Sequence, residues 1–357
     1  MRGSHVVGEA AVRAGCRYYF GYPITPQNEV PEYMSARLPE VGGVFIQAES
    51  ELASINMVIG AAMAGGRVMT TSSSPGISLM QEGISYLAGM ELPAVIVNMI
   101  RGGPGLGNIA PAQSDYFQAT RGGGHGDYRC IVLAPASCQE LCDMTIKAFD
   151  LADTYRNPVM ILGDGMMGQM MEPVVFPEMV DPASLPPKDW TLTGAKDRPS
   201  RTIVSLLLDP KVLEAHNYKL VRKYEAIERA ECDWEELWLE DARLVVVAYG
   251  TAARIAKGAI NQLRAVGFKI GLLRPKTLWP FPAAAVREIT RQVRHVVVFE
   301  LSAGQLVEDV RLAVGDQAEV HLHGRPGGVV PTPEEIAHKI SHYYYKAGLH
   351  GRRGGCR

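Results

Sequence analysis

Between residues 5 and 175 short apolar runs, several of them unbroken rather than alternating, are separated by amphipathic helical stretches. A run that is apolar at every position has no face to give to water, so it reads as a strand covered by helices on both sides. Such runs occupy 18–22, 44–47, 68–72, 94–100, 130–133 and 159–162, and Gly, Pro, Ser or an acid follows them before the next helical pattern. The expected fold class is therefore α/β, a parallel sheet with its loops gathered at the carboxyl ends of the strands. The stretch 51–64 places Leu52, Ile55, Ile59 and Met63 on one stripe, while Ala53, Gly60, Ala61 and Ala64 allow close approach. It is expected to be a central helix.

The rhythm then changes. Prolines cluster over 173–199 and a charge-rich helical pattern follows over 213–241, which reads as a linker and helical connector spanning 183–242. A second α/β unit is expected over 243–341, with strands at 244–250, 269–275 and 295–301 and a helix at 252–266. The tail, 342–357, holds three adjacent tyrosines and a Gly/Arg mixture, and fraying or subunit contact is expected there. A chain of 357 residues accommodates these two domains, the first ending near residue 182.

Charge and cysteine usage exclude several functions. The 36 basic and 38 acidic residues leave a net charge of -2 with no basic stripe, which argues against nucleic acid as a partner. No apolar stretch approaches the roughly 20 residues of a membrane-spanning helix. No secretory pattern opens the chain, so a cytoplasmic protein is expected. Cys16, Cys130, Cys138, Cys142, Cys232 and Cys356 lack CxxC spacing, so no metal or iron–sulfur ligand set can be read; ordinary buried thiols are expected.

Chemistry is expected in the loops after the strands. The first, residues 21–26, is stiffened by Pro23 and Pro26 and presents Ile24 and the Thr25 hydroxyl, which is either a helix N-cap or a ligand group. The second, 47–51, brings Glu49 and Glu51 to a helix start, where the plain reading is favourable interaction with the helix dipole. The third, 70–76, is a small-residue turn containing Ser74, Pro75 and Gly76. The fourth begins at Arg101 and carries four glycines in residues 102–107. Its guanidinium could bind a carboxylate through paired hydrogen bonds or be paired internally. That spacing is not GxGxxG, so a nicotinamide cofactor is unsupported. His125 lies in a glycine loop before the fifth strand, at the opposite edge by polarity unless the chain folds back across the top. Gly163-Asp164-Gly165 resembles part of a magnesium-diphosphate motif whose later Asn is missing.

Taken together, YPITP (22–26), QAESE (47–51), SSSPGISLMQEG (72–83), RGGPGLGN (101–108) and LLRPKTLWPFP (272–282) resemble the α subunit of 2-oxoacid:ferredoxin oxidoreductases. The likeness runs over nearly the whole chain apart from the tail and is nearest the 2-oxoisovalerate type, with the 2-oxoglutarate type next. It implies a pyrimidine-binding domain for thiamine diphosphate over 1–182 and a transketolase C-terminal-like domain over 243–341. It also implies oxidative decarboxylation of a 2-oxoacid to acyl-coenzyme A and CO2, with electrons passed to ferredoxin. The diphosphate-binding domain with Mg2+ would come from a β subunit, and the 4Fe-4S clusters from the β subunit and a ferredoxin-like δ subunit, with a γ subunit completing the complex. Glu51, nine residues before Gly60, has the family spacing of the glutamate that hydrogen-bonds the aminopyrimidine; Glu49 would be a supporting acid. Pro23, Ile24, Ser74, Pro75 and Gly76 would lie near the cofactor, and Thr25 and Arg101 would hold the substrate carboxylate. An apolar 2-oxoacid is expected, because RGGPGLGN offers no second cation, although Arg67, Arg121 or a partner residue could supply one for 2-oxoglutarate. A non-oxidative thiamine-dependent decarboxylase or transketolase-like subunit and a non-catalytic scaffold of the same fold are the alternatives.

Overall fold

The computed structural model describes residues 1–349. In chain order the first unit comprises α1 (Gly3–Arg13), β1 (Tyr18–Gly21), α2 (Glu29–Glu40), β2 (Val44–Gln47), α3 (Glu51–Met63), β3 (Val68–Ser72), α4 (Ser74–Gly89), β4 (Ala94–Ile100), α5 (Tyr116–Arg121), β5 (Ile131–Leu133), α6 (Cys138–Tyr155), β6 (Pro158–Asp164) and α7 (Gly165–Gln169). The remainder runs α8 (Pro210–Ala230), β7 (Trp234–Leu237), β8 (Leu244–Val247), α9 (Gly250–Ala265), β9 (Ile270–Pro275), β10 (Thr277–Trp279), α10 (Ala283–Thr290), β11 (His295–Glu300), α11 (Leu306–Val314), β12 (Glu319–Gly324) and α12 (Pro333–Lys346).

Six parallel strands in the order β5-β6-β4-β3-β1-β2 form the body of the first sheet. Every residue of β3, β4 and β6 is buried, as expected of the apolar runs in β4 and β6, while β3 buries Thr70, Thr71 and Ser72 as well. The chain goes from β1 outward to β2 and then crosses to β3 on the other side, so a crevice opens at the carboxyl ends of β1 and β3, the position at which open α/β sheets bind ligands. Tyr19 of β1 and Thr71 of β3 are joined there by a 2.7 Å hydroxyl hydrogen bond, and Thr71 also donates to the amide oxygen of buried Gln27.

The second sheet has the order β12-β11-β8-β9-β7. Its strands alternate between two cores: Val245 and Val247 join the cluster shared with the first unit, while Leu244 and Val246 face α9 and α12. One strand crosses between the units, and the edge of the second sheet is antiparallel. β10 leaves the second unit to pair antiparallel with β5, and β7 pairs antiparallel with β9. A buried clamp reinforces the junction, where Arg274 of β9 makes paired bonds to Glu140 of α6 at 2.6 and 2.8 Å and a third to Glu235 at 2.8 Å.

Three expectations need correction. The helical connector read over 213–241 stops at Ala230, and the segment after it is the strand β7, whose half-exposed edge position gave it no apolar signature. The tyrosines of the tail do not fray: Tyr343–Tyr345 lie inside α12, which opens with a Thr332/Glu335 capping box and buries Ile336, Ile340 and Tyr344 along one stripe. The rest of that tail, from residue 350, lies outside the described residues. Finally, α3 is not enclosed by the described residues, because Leu52 is 50% exposed and a β-carbon added at Gly60 would meet none of their atoms within 4 Å. The helix is apolar all round, and its stripe covers only one side of it.

Candidate functional site

The site is assembled around the first turn of α4, which touches both halves of the predicted residue set. On one side stands Glu51, at the start of α3. Ser50 caps that helix in an extended conformation, its hydroxyl accepting from the Ala53 amide at 3.2 Å. This cap swings Glu51 inward to 5% exposure while Glu49 stays exposed, so burial separates two acids that are adjacent in the loop. Among the described residues no basic side chain pairs with Glu51; the helix N-terminus is the local positive field.

Gly76 of α4 lies directly against this carboxylate. A β-carbon at Gly76 would fall on Glu51 Oε1 and on Ser72 Oγ, so the absence of a side chain is what admits the carboxylate to the pocket. The buried hydroxyl of Ser72 beside it, and those of Thr70 and Ser73 next to Ser72 in the chain, have no hydrogen-bond partner among the described residues. Unpaired buried hydroxyls each cost about 1–3 kcal/mol. A partner-free buried acid, a glycine cradle and orphaned hydroxyls together fit a bound heteroaromatic group with ring nitrogens and an amino substituent.

On the other side of the same turn lies Arg101, where β4 ends. Its guanidinium is 7% exposed and is held by carbonyls rather than acids: Nη1 donates to the Thr25 oxygen at 3.0 Å and Nη2 to the Leu106 oxygen at 3.1 Å. Nε is buried without a partner. The charge is thus positioned and has no counter-ion among the described residues. The Ser74 hydroxyl accepts from the Arg101 amide at 3.0 Å and donates to Asp115 at 2.6 Å, and Asn98 of β4 also donates to Asp115 at 2.9 Å. Burial raises the Asp115 carboxyl above its ordinary value, although these two hydrogen bonds oppose the rise.

The structure therefore brings together Glu51 with Gly76, Arg101 with Thr25, and both pairs through Ser74 and Pro75 at the start of α4. Pro23 is exposed and Ile24 half-buried in the β1–α2 loop. Thr25 is not a helix cap, since α2 begins at Glu29, and its exposed hydroxyl takes only a 3.5 Å contact from Asn28. His125 is exposed, in a glycine loop that packs along α4 through Gln81 and Tyr128. Asp164 is occupied in capping α7, accepting from the Met166 and Met167 amides. The five cysteines described are free and buried or half-buried, and burial pushes Cys16 and Cys130 up to about 12; Cys356 lies outside the described residues. Asn98, Asp115 and Gln27 escaped the sequence reading. A lone amide within the apolar run AVIVNMI was the available signal for Asn98; Asp115 and Gln27 had none.

Both cations that could have served a distal carboxylate are engaged elsewhere. Arg67 is paired with Asp150 at 2.7 Å and Asp153 at 2.8 Å, and Arg121 makes paired bonds to Asp309 at 2.9 and 3.1 Å. Beside Arg101 the loop instead exposes Leu106 and Ile109.

Comparison with known proteins follows this geometry. Residues 9–232 match the family described as pyruvate flavodoxin/ferredoxin oxidoreductase, thiamine diphosphate-binding, and residues 242–336 match pyruvate:ferredoxin oxidoreductase core domain II. The ketoisovalerate oxidoreductase subunit VorB of Methanothermobacter marburgensis is 51% identical over 95% of this chain and 96% of its own length. The 2-oxoglutarate synthase subunit KorA of Methanothermobacter thermautotrophicus is 38% identical over 95% and 97%. Among solved structures, 2-oxoglutarate:ferredoxin oxidoreductase from Magnetococcus marinus, with 2-oxoglutarate, coenzyme A and succinyl-CoA bound, matches at 29% identity with a TM-score of 0.84 over 96% of this chain. The chain spans 64% of the length of that solved chain.

Proposed function

The chain belongs to the pyruvate flavodoxin/ferredoxin oxidoreductase family, and from that premise we propose that it is the α subunit of a coenzyme A-acylating 2-oxoacid:ferredoxin oxidoreductase acting on a branched-chain 2-oxoacid such as 2-oxoisovalerate. The observation that carries the substrate choice is the pairing of Arg67 with Asp150 and Asp153 and of Arg121 with Asp309. With both committed, Arg101 is left to hold one carboxylate beside the apolar Leu106 and Ile109. A 2-oxoglutarate site would need a second free cation for its distal carboxylate.

Thiamine diphosphate, when bound, supplies a nucleophilic carbon for the 2-oxo carbonyl and takes up the electrons released as CO2 departs. The chain's own residues bind and orient. Glu51 shares a proton with the ring nitrogen of the aminopyrimidine, and its burial strengthens that bond. Gly76 leaves the space for the carboxylate to reach the ring, and Ser72 and Ser73 offer unspent hydrogen bonds to it. Arg101, aimed by the carbonyls of Thr25 and Leu106, fixes the group to be lost. The diphosphate with Mg2+, the 4Fe-4S clusters and the route to ferredoxin belong to β, γ and δ subunits in this reading. The occupation of Asp164 in capping α7 supports a diphosphate site on another chain.

The test is a panel of 2-oxoacids offered to the co-purified complex with coenzyme A and methyl viologen. Viologen reduction fastest with branched-chain acids is expected. Preference for 2-oxoglutarate would overturn the substrate choice, and aldehyde release without viologen reduction would overturn the oxidative reaction.

A further inference from the structure

Far from this site, the edge of the second sheet carries a cluster that the reaction does not use. In the parallel register of β11 and β12, His295 faces Glu319 and Val297 faces His321, so the two imidazoles and the carboxylate share one face of the sheet. His295 Nδ1 lies 3.6 Å from one carboxylate oxygen and His321 Nε2 lies 3.3 Å from the other, and a ligand atom from each residue lies within 4.8 Å of both others.

We infer that His295, Glu319 and His321 form a binding site for a divalent transition-metal ion of the zinc type, clipping β12 to β11.

The separations fit this chemistry. Ligands at roughly 2.0–2.2 Å from a tetrahedral ion stand a little over 3 Å apart, and the two His–Glu separations are already close to that. Two imidazoles and one carboxylate suit zinc rather than calcium or magnesium, which take oxygen ligands. A second observation points the same way: His295 Nδ1 is a buried atom that has no hydrogen-bond partner among the described residues and faces the cluster, 3.6 Å from Glu319. The His321 ring is also fixed in orientation, stacked on Tyr343 of α12 at 5.0 Å between centroids, while the Tyr343 hydroxyl bonds the Leu322 carbonyl at 3.2 Å. Glu319 is 59% exposed, which leaves an entry path from solvent and an open fourth position for water.

The test uses the full chain, purified with whatever subunits remain bound, and Zn2+ alone as the probe. Retained zinc after desalting and the thermal midpoint are compared with those of His321→Asn and Glu319→Gln; the latter changes an exposed side chain and should leave the fold intact. The expected result is one zinc per chain more in the wild type than in either variant, at least about 10-fold weaker binding in both variants, and a zinc-dependent rise in midpoint confined to the wild type. Equal zinc content and equal midpoint response in wild type and Glu319→Gln would overturn the assignment.

Discussion

Arg101 Nη1 donates to the backbone oxygen of Thr25 at 3.0 Å, so a cation at the end of β4 is aimed by the loop that follows β1. Both residues sit in the crevice beside the β1/β3 switch, yet the bond uses the Thr25 carbonyl rather than its side chain. The exposed Thr25 hydroxyl takes only the 3.5 Å contact from Asn28. Arg101→Ala is expected to lower kcat/KM for the 2-oxoacid by about 10- to 100-fold, the range for losing hydrogen bonds to a charged group. Thiamine diphosphate affinity should change far less. Steady-state kinetics and cofactor titration check this, and equal losses in both would make Arg101 a structural residue.

Two glycines should respond oppositely to a single added methyl group. Gly76→Ala forces a β-carbon onto Glu51 Oε1 and Ser72 Oγ, so thiamine diphosphate binding should weaken by at least 10-fold, with about 1–3 kcal/mol lost from overpacking. Gly60→Ala meets no atom within 4 Å and lies in a helix interior, so it should stabilise the isolated chain by about 0.5–1 kcal/mol. Cofactor titration and chemical denaturation distinguish the two.

The Arg274–Glu140 clamp makes the junction between the sheets sensitive to acid. Burial alone would raise Glu140, but the Arg274 hydrogen bonds and charge outweigh it and hold the carboxyl below its ordinary 4.5. A lowered native value contributes stability that is present above 4.5 and lost as pH falls through the native value. Glu140→Gln should therefore cost about 2–3 kcal/mol at pH 7, somewhat less than for a fully buried pair. The difference from wild type should shrink below pH 4. A difference that is constant with pH would contradict the clamp.

Asp115 has the opposite sign. Its carboxyl is raised by burial, so the native state binds the proton more tightly and stability falls as pH rises from the ordinary 3.8 through the raised value. Asp115→Asn keeps an oxygen for Ser74 and Asn98 and removes this penalty. The variant should match or exceed the wild type in denaturation midpoint above pH 6. A variant that grows relatively weaker with rising pH would refute the assignment.

The six parallel strands of the first sheet were legible because most are short runs of apolar or β-branched residues bounded by turn residues; β4 and β6 are covered on both faces, whereas β2, at the sheet edge, is not. β7, β10 and β12 were not legible. WEEL is a half-exposed edge, TLW is three residues long, and EVHLHG alternates polar with apolar residues at the sheet margin. The loops holding Glu51, Ser74, Gly76 and Arg101 could be found from strand polarity. The contacts within them could not, because Gly76 against Glu51 depends on how α3 and α4 pack, and Ser74 with Asp115 spans 41 residues. The helical state of Tyr343–Tyr345 was not legible because they fall after the charged turn of a helix whose buried stripe starts earlier, at Ile336.

The central claim, that Glu51 is the acid which works on the aminopyrimidine, is tested most directly by Glu51→Gln in the assembled complex. The readout is 2-oxoacid- and coenzyme A-dependent reduction of ferredoxin or methyl viologen at saturating thiamine diphosphate. Loss of a positioned acid–base group predicts a fall in kcat of about 100- to 10,000-fold, with Glu49→Gln close to wild type. Unchanged turnover in Glu51→Gln would contradict it.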